Sequence, residues 1–184
     1  LRYTGVLTKP VFVSALKEKM IEIQKKESGD GVSTEKEEEG SLQGLNILAA
    51  EDNDINAEIL SEILTMEGAD CEIAENGRLV LERFEASEEG EFDAILMDVQ
   101  MPVMNGYEAT REIRALPRRD AGEIPIIAMT ANAFAEDEKE ALKAGMNMHL
   151  AKPVDVALLK KAIHQLIQSD TKKMGREEKG GYDE

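Results

Sequence analysis

Short apolar runs alternate with helical patterns through residues 41–169, and this alternation constrains the fold more than any other feature of the sequence. The apolar runs cover 45–50, 71–74, 94–97 and 124–129, and a shorter fifth run ends at 150–151. Most of them lack alternating polar residues, which is typical of strands covered on both faces. Five strand–helix repeats in about 125 residues predict an α/β fold, with a doubly wound five-stranded parallel sheet and helices on both faces.

Apolar residues between these runs recur at helical spacing, and we expect each stripe to face the sheet. The first predicted helix carries Ile55, Ile59, Ile63 and Met66, and the last helix is expected from about 155 to 168. The helices between them carry Leu79, Val80 and Phe84, then Ala109, Ile113 and Leu116, then Ala141, Leu142 and Met146. Asn76 is predicted to cap the second helix, and Gly106 is expected to use a positive φ in a loop.

The charge and the cysteine content exclude several classes of protein. The chain has 22 basic and 38 acidic residues, a net charge of −16, which disfavours binding to nucleic acid or to an anionic membrane surface. A single cysteine excludes an intrachain disulfide framework and a multi-thiolate metal site. No apolar run approaches the roughly 20 residues of a membrane span, and the first residue is Leu with no secretory leader after it. We therefore expect a cytoplasmic fragment of a longer protein.

The charge is also unevenly distributed, which predicts the boundaries. Residues 1–26 carry six basic and two acidic side chains, whereas 27–43 are predicted to be an acidic, flexible linker. Residues 44–169 hold nearly all the apolar runs and form the predicted domain. Residues 170–184 are polar and glycine-containing, so we expect a disordered tail.

Polar residues follow the strands at the edge where parallel sheets bind their ligands. Glu51 and Asp52 follow the first strand, Asp98 the third, Thr130 the fourth and Lys152 the fifth. Neighbouring carboxylates raise each other's pKa unless a cation compensates them, and carboxylate oxygens with room for water suit Mg²⁺ better than zinc. With Mg²⁺, Lys152 and Thr130 near a phosphoryl group, Asp98 could act as the nucleophile of a phosphoryl transfer.

The same residues carry a family resemblance. Residues 47–53 (ILAAEDN), 95–106 (ILMDVQMPVMNG), 126–133 (IIAMTANA) and Lys152-Pro153 resemble a response-regulator receiver domain of two-component signalling, in family order and spacing. The variety is the one found at the carboxyl end of hybrid sensor histidine kinases. The resemblance implies a flavodoxin-like sheet with strand order 2-1-3-4-5.

The resemblance also implies a role for each matching residue. Asp98 would accept the phosphoryl group from a phosphohistidine on a kinase or a phosphotransfer protein. Asp52 would bind Mg²⁺ directly and Glu51 through water, and the Asp98 carboxylate and the Gln100 backbone carbonyl would complete the protein ligands.

The resemblance implies roles for four further positions. Lys152 would bind Asp98 or the phosphoryl oxygens, and Thr130 would move toward the phosphoryl group. His149 occupies the switch position where the family often has Tyr or Phe. Pro153 would follow a cis peptide bond.

Two rival classes lack a residue or a motif that they need, and a third alternative remains beside this phosphorelay hypothesis. A phosphatase of the haloacid-dehalogenase type needs a second aspartate two residues after the nucleophile, and that position here is Gln100. A dinucleotide-binding domain needs a glycine-rich turn after its first strand, where this chain has Glu51-Asp52-Asn53-Asp54. A receiver fold that serves as an unphosphorylated adaptor is the third alternative.

The parent of a receiver of this kind would be a histidine kinase, whose ATP-dependent core the chain lacks.

Residues 1–26 look like a second copy of the end of this domain. Residues 7–13 (LTKPVFV) match 150–156 (LAKPVDV) at a constant offset of 143, and Lys9-Pro10 aligns with Lys152-Pro153. The helical stripe Val13, Leu16, Met20 and Ile23 repeats as Val156, Leu159, Ile163 and Leu166. We interpret 1–26 as the last strand and helix of an upstream receiver that is cut at the start of the chain.

If that interpretation is right, deleting residues 1–40 leaves Mg²⁺ binding and Asp98 phosphorylation nearly unchanged, because the segment lacks the acidic pair, the acceptor aspartate and the threonine. Magnesium titration and phosphate labelling of the shortened chain measure this. Unfolding of residues 45–168 after the deletion would show instead that the segment is an integral part of the domain.

Overall fold

The computed structural model describes residues 41–131 and 135–177, and its strands form one parallel sheet in the order β2-β1-β3-β4-β5. The strands are Asn46–Ala50 (β1), Asp70–Ala74 (β2), Ala94–Asp98 (β3), Ile126–Thr130 (β4) and Met148–Ala151 (β5). The helices are Asp54–Met66 (α1), Gly77–Ala86 (α2), Gly106–Ala115 (α3), Ala135–Ala144 (α4) and Val156–Glu177 (α5), with a 3₁₀ turn at Arg119–Gly122. The predicted doubly wound sheet and its strand order are confirmed.

The core has two layers, one on each face of the sheet. Val80, Phe84, Ala109 and Ile113 of α2 and α3 belong to one layer, and Leu64 of α1 with Leu159 and Ile163 of α5 belongs to the other. Successive strand residues enter alternate layers, so every residue of β3 and β4 is buried. This explains why the runs 94–97 and 124–129 lack polar alternation.

The predicted stripe of α1 is wrong. The buried residues of α1 are Leu60 and Leu64, whereas Ile55 is 68% exposed and Met66 54% exposed. Ile59 and Ile63 lie at the boundary and are half-buried. The apolar arc of α1 is wider than the contact with the sheet requires, so one edge of it remains on the surface.

The other stripes are largely confirmed, since their members are mostly buried. The exceptions are Leu79 in α2 and Leu142 in α4, which are exposed. Each is next in sequence to a buried residue, Val80 or Ala141, and a helix turns about 100° between neighbours.

The start of α3 corrects the prediction for Gly106. Asn76 caps α2 as predicted, by accepting a hydrogen bond from the Leu79 N–H. Gly106 does not have a positive φ; it is the first residue of α3, and a Cβ there would lie 2.3 Å from the Asp98 carbonyl oxygen. The residue with positive φ in this loop is Val103, at 68°. Glycine is therefore needed at 106 for close approach of α3 to the end of β3.

The remaining predictions concern one peptide bond, the length of the last helix and the segments outside the described residues. The Lys152–Pro153 peptide bond is cis, as the resemblance implied. The α5 helix continues to Glu177, past the predicted end near 168. The predictions for residues 1–40, for 132 and 133 of the family motif, and for 178–184 lie outside the described residues. In residues 41–131 and 135–177, every helix is too short or too polar to span a membrane.

Candidate functional site

The carboxyl ends of four strands place four polar side chains at one edge of the sheet. In the register of the strands, Ala50 pairs with Met97 and Thr130 pairs with Ala151, so Glu51 adjoins Asp98 and Lys152 comes directly after the partner of Thr130. Glu51, Asp98 and Thr130 are buried, at 3%, 5% and 7% exposure. These are the only buried polar side chains in the described part of the chain apart from a threonine of α3. The polar groups that the sequence places at strand ends are thus concentrated in one site.

Lys152 bridges two of the carboxylates. Its Nζ lies 2.5 Å from Oε2 of Glu51 and 2.6 Å from Oδ2 of Asp98. Asp52 is exposed, yet carboxylate oxygens of Glu51, Asp52 and Asp98 all lie within 4.8 Å of one another. Three carboxylates and one ammonium leave an excess of negative charge, which a divalent cation can neutralise.

The pKa values of Asp98 and Lys152 are shifted by burial and by the neighbouring charges. Burial raises the pKa of Asp98, and the Glu51 carboxylate adds to that, against the opposing effects of Lys152 and of the Gln100 N–H. Burial by itself lowers the pKa of Lys152, but its hydrogen bonds to Asp98 and Glu51 outweigh burial and hold the pKa above its ordinary value. Lys152 therefore remains a cation at neutral pH and stabilises the charge of both carboxylates.

A cleft of about 400 Å³ opens beside these carboxylates, and Asp52, Gln100 and Thr130 line it together. The Gln100 N–H donates a hydrogen bond of 3.2 Å to Oδ1 of Asp98, which leaves Oδ2 to Lys152. Each oxygen of the Asp98 carboxylate thus has a hydrogen-bond donor. The cleft gives an incoming ligand a route to Asp52 and to Val99, which follows Asp98 directly.

His149 lies near this site but belongs to a different part of β5. It pairs with Ala128, two residues before the pairing of Ala151 with Thr130, and it is half-buried. Its neighbours Met148 and Leu150 pack into the layer of α1 and α5, so the imidazole projects from the opposite face of the sheet. The role of His149 as a switch stays a prediction.

The sequence prediction missed Asn56, which the structure adds to the site. Its side-chain Nδ2 donates a hydrogen bond of 3.0 Å to Oε1 of Glu51. Asn53 caps α1 by accepting from the Asn56 N–H, so Asn56 stands in the first turn, five residues after Glu51. The short connection between the end of β1 and the cap of α1 was the signal that could have found it.

The donor set fits a magnesium ion. Glu51, Asp52 and Asp98 supply carboxylate oxygens, and the exposed side of Asp52 and the open cleft leave room for water and phosphate ligands. Mg²⁺ prefers such hard oxygen ligands and retains several waters, whereas zinc favours imidazole or thiolate.

Comparison with known proteins identifies the family. The family model of the response regulator receiver domain matches residues 47–164. The chain belongs to the response regulator receiver family. This receiver is 38% identical over 123 residues to hybrid signal transduction histidine kinase I of Dictyostelium discoideum. The match covers 66% of this chain and 7% of that kinase, so the chain spans a small fraction of the length of this relative.

Two solved structures are similar to this receiver. The receiver domain of sensor histidine kinase PA1611 from Pseudomonas aeruginosa has a magnesium ion in its active-site cleft; it shares 39% identity, with a TM-score of 0.61 over 68% of this chain and 98% of that one. The receiver domain of Saccharomyces cerevisiae Ssk1, in complex with the histidine phosphotransfer signaling protein Ypd1, shares 32% identity, with a TM-score of 0.58 over 66% and 88%.

The two neighbouring aspartates are expected to differ in their effect on Mg²⁺ binding. Asp52→Ala should weaken Mg²⁺ binding strongly, by about 10-fold or more, because Asp52 supplies an oxygen within the carboxylate cluster. Asp54→Ala should have a small effect, because Asp54 is in the first turn of α1, where it compensates the helix dipole. Magnesium titration of both variants measures the difference, and equal effects would contradict the assignment of Asp52.

Proposed function

We propose that this receiver accepts a phosphoryl group from a phosphohistidine onto Asp98, with Mg²⁺ held by Glu51, Asp52, Asp98 and the Gln100 backbone carbonyl. The observation that carries the proposal is the Asp98 carboxylate itself, buried at the end of β3 and paired with Lys152 beside an open cleft. Such a carboxylate can attack the phosphorus, and the P–O bond forms as the P–N bond to the donor histidine breaks. The electron pair of the broken bond stays with the imidazole, which takes a proton from solvent.

The other residues stabilise the charge on the transferred group. When bound, Mg²⁺ supplies positive charge to the phosphoryl oxygens. Lys152 moves from its carboxylate partners toward the phosphoryl oxygens, and the Thr130 hydroxyl, at the end of β4, binds the phosphorylated form. Later attack by water releases inorganic phosphate and regenerates the Asp98 carboxylate.

An apolar groove beside the site supports a helical donor. The groove, of about 320 Å³, is lined by Ile59, Ile63 and Val154, and it is continuous with the site because Glu51 and Lys152 line it as well. We propose that the helix carrying the donor histidine docks its apolar face here, which brings the imidazole to the edge of the sheet. The Ssk1 receiver, which was solved in complex with a histidine phosphotransfer protein, supports a donor of this class.

The parent protein is also part of the proposal. We propose that it is a hybrid histidine kinase of a two-component phosphorelay, located in the cytoplasm or anchored to a membrane through segments outside this fragment. Its upstream receiver would end in residues 1–26, with 27–43 as the linker and 44–169 as the present receiver. The similarity to hybrid histidine kinase I of Dictyostelium discoideum supports a hybrid kinase as the parent. The acidic surface supports a protein partner over nucleic acid or a direct membrane contact.

The test of the acceptor is Asp98→Asn. This variant should lose acid-stable, hydroxylamine-labile phosphate uptake from acetyl phosphate or a phosphohistidine donor, because the amide is nearly isosteric with the carboxylate but is a poor nucleophile. Circular dichroism checks that the variant folds. If the variant took up phosphate as fast as the unmutated chain, Asp98 would be ruled out as the acceptor. If the unmutated chain took up no phosphate from any donor, the unphosphorylated adaptor would be favoured.

The test of the groove compares two phosphate sources. Ile59→Glu and Ile63→Glu place a charge in the groove, so the rate from a phosphohistidine donor should fall at least 10-fold relative to the rate from acetyl phosphate on the same variant. Leu158→Glu, at an exposed position of α5, is the matched control. A ratio unchanged in both groove variants would exclude this surface as the docking site.

A further inference from the structure

The Glu51 carboxylate is held at both oxygens. Oε2 accepts from Lys152 Nζ at 2.5 Å, and Oε1 accepts from Asn56 Nδ2 at 3.0 Å. Lys152 is shared with Asp98, so it fixes Glu51 only as long as it remains between the two carboxylates. Asn56 is therefore the partner that belongs to Glu51 alone.

A glutamate needs such a partner more than an aspartate does. Its carboxylate is one more rotatable bond away from the backbone, and each free torsion lowers the fraction of time that the oxygens spend in a productive position. Glu51 stands directly after β1, which holds its backbone, including a hydrogen bond of 3.0 Å from its N–H to the Ala74 carbonyl. The side chain is the mobile part, and Asn56 restrains its end.

The starts of α1 and α3 show that Asn56 is used differently from a helix-capping residue. In α3, Glu108 is the third helical residue, and its side chain reaches back to the backbone N–H of the cap, Asn105, in a capping box. Asn56 occupies the same position relative to its own cap, Asn53, but its side chain hydrogen-bonds to Glu51. The third residue of α3 thus stabilises its own helix. The third residue of α1 instead contributes its side chain to the site.

We propose that Asn56 is a positioning residue, which holds the Glu51 carboxylate at the cation site and makes a glutamate effective there. The inference rests on the Mg²⁺ site of the proposed function. Its role ends at Glu51: Asn56 orients the carboxylate that would bind a magnesium-bound water, and it does not itself touch the ion or the phosphoryl group.

A double-mutant cycle measured by magnesium titration tests the proposal. Asn56→Ala should weaken Mg²⁺ binding about 10-fold, the lower end of the loss typical when a residue outside the direct ligands of a metal is changed. In a chain that already carries Glu51→Asp, the same Asn56→Ala change should alter the dissociation constant less than 2-fold, because the shorter side chain is too far away to reach Asn56. Asn56→Leu, which keeps the volume but removes the donor, should reproduce Asn56→Ala.

Thr65→Ala is the matched control, since Thr65 is an exposed residue in the last turn of α1 and the change to alanine affects helix propensity without reaching the site. It should leave Mg²⁺ affinity within 2-fold of the parent. Changes of less than 2-fold in both Asn56 variants would overturn the proposal, as would equal losses with and without Glu51→Asp.

The outcomes separate this proposal from the proposed function. Coupling between Asn56 and Glu51 together with phosphate uptake by Asp98→Asn would leave the positioning role intact and refute the acceptor. Phosphate uptake that depends on Asp98, without coupling between Asn56 and Glu51, would support the acceptor and refute the positioning role. A parent chain without saturable Mg²⁺ binding would overturn both the positioning role and the magnesium site.

Discussion

The interaction on which the site depends is the contact of Lys152 with two buried carboxylates. Glu51 and Asp98 are almost completely removed from water, and a buried charge without a partner is strongly unfavourable. One ammonium, at 2.5 and 2.6 Å, compensates both. Lys152 follows β5 and the carboxylates follow β1 and β3, so the contact joins residues that are far apart in sequence and that the strand order 2-1-3-4-5 brings to one edge. Fold and site are therefore stabilised by the same arrangement.

The compensation is incomplete, and that is what makes the site chemically useful. One ammonium faces three carboxylates, so the cluster can bind a cation and, with it, the anionic oxygens of a phosphoryl group. A cluster with equal numbers of carboxylates and ammonium groups would attract a divalent ion less strongly. Glycine at 106 allows the start of α3 to lie against the end of β3, next to Asp98.

The α1 helix divides its surface among three tasks. Leu60 and Leu64 pack against the sheet, Ile59 and Ile63 line a groove, and Asn56 in the first turn contacts Glu51. One helix thus connects the core, the proposed docking surface and the cation site.

The sequence by itself determined the sheet and the identity of the polar residues at its edge. Strand–helix alternation forces parallel strands, and parallel strands bring their carboxyl ends together, so Glu51, Asp98, Thr130 and Lys152 could be placed at one edge from their positions after the apolar runs. Only the tertiary structure decided which side of α1 is buried. The predicted stripe with Ile59 and Ile63 and the buried pair Leu60 and Leu64 both have helical spacing, and the choice between them depends on the packing of neighbouring elements. The hydrogen bond from Asn56 to Glu51 and the close contact at Gly106 were likewise decided by distances through space. The short connection after β1 places Asn56 near Glu51 in sequence, but it does not fix the partner of the side chain.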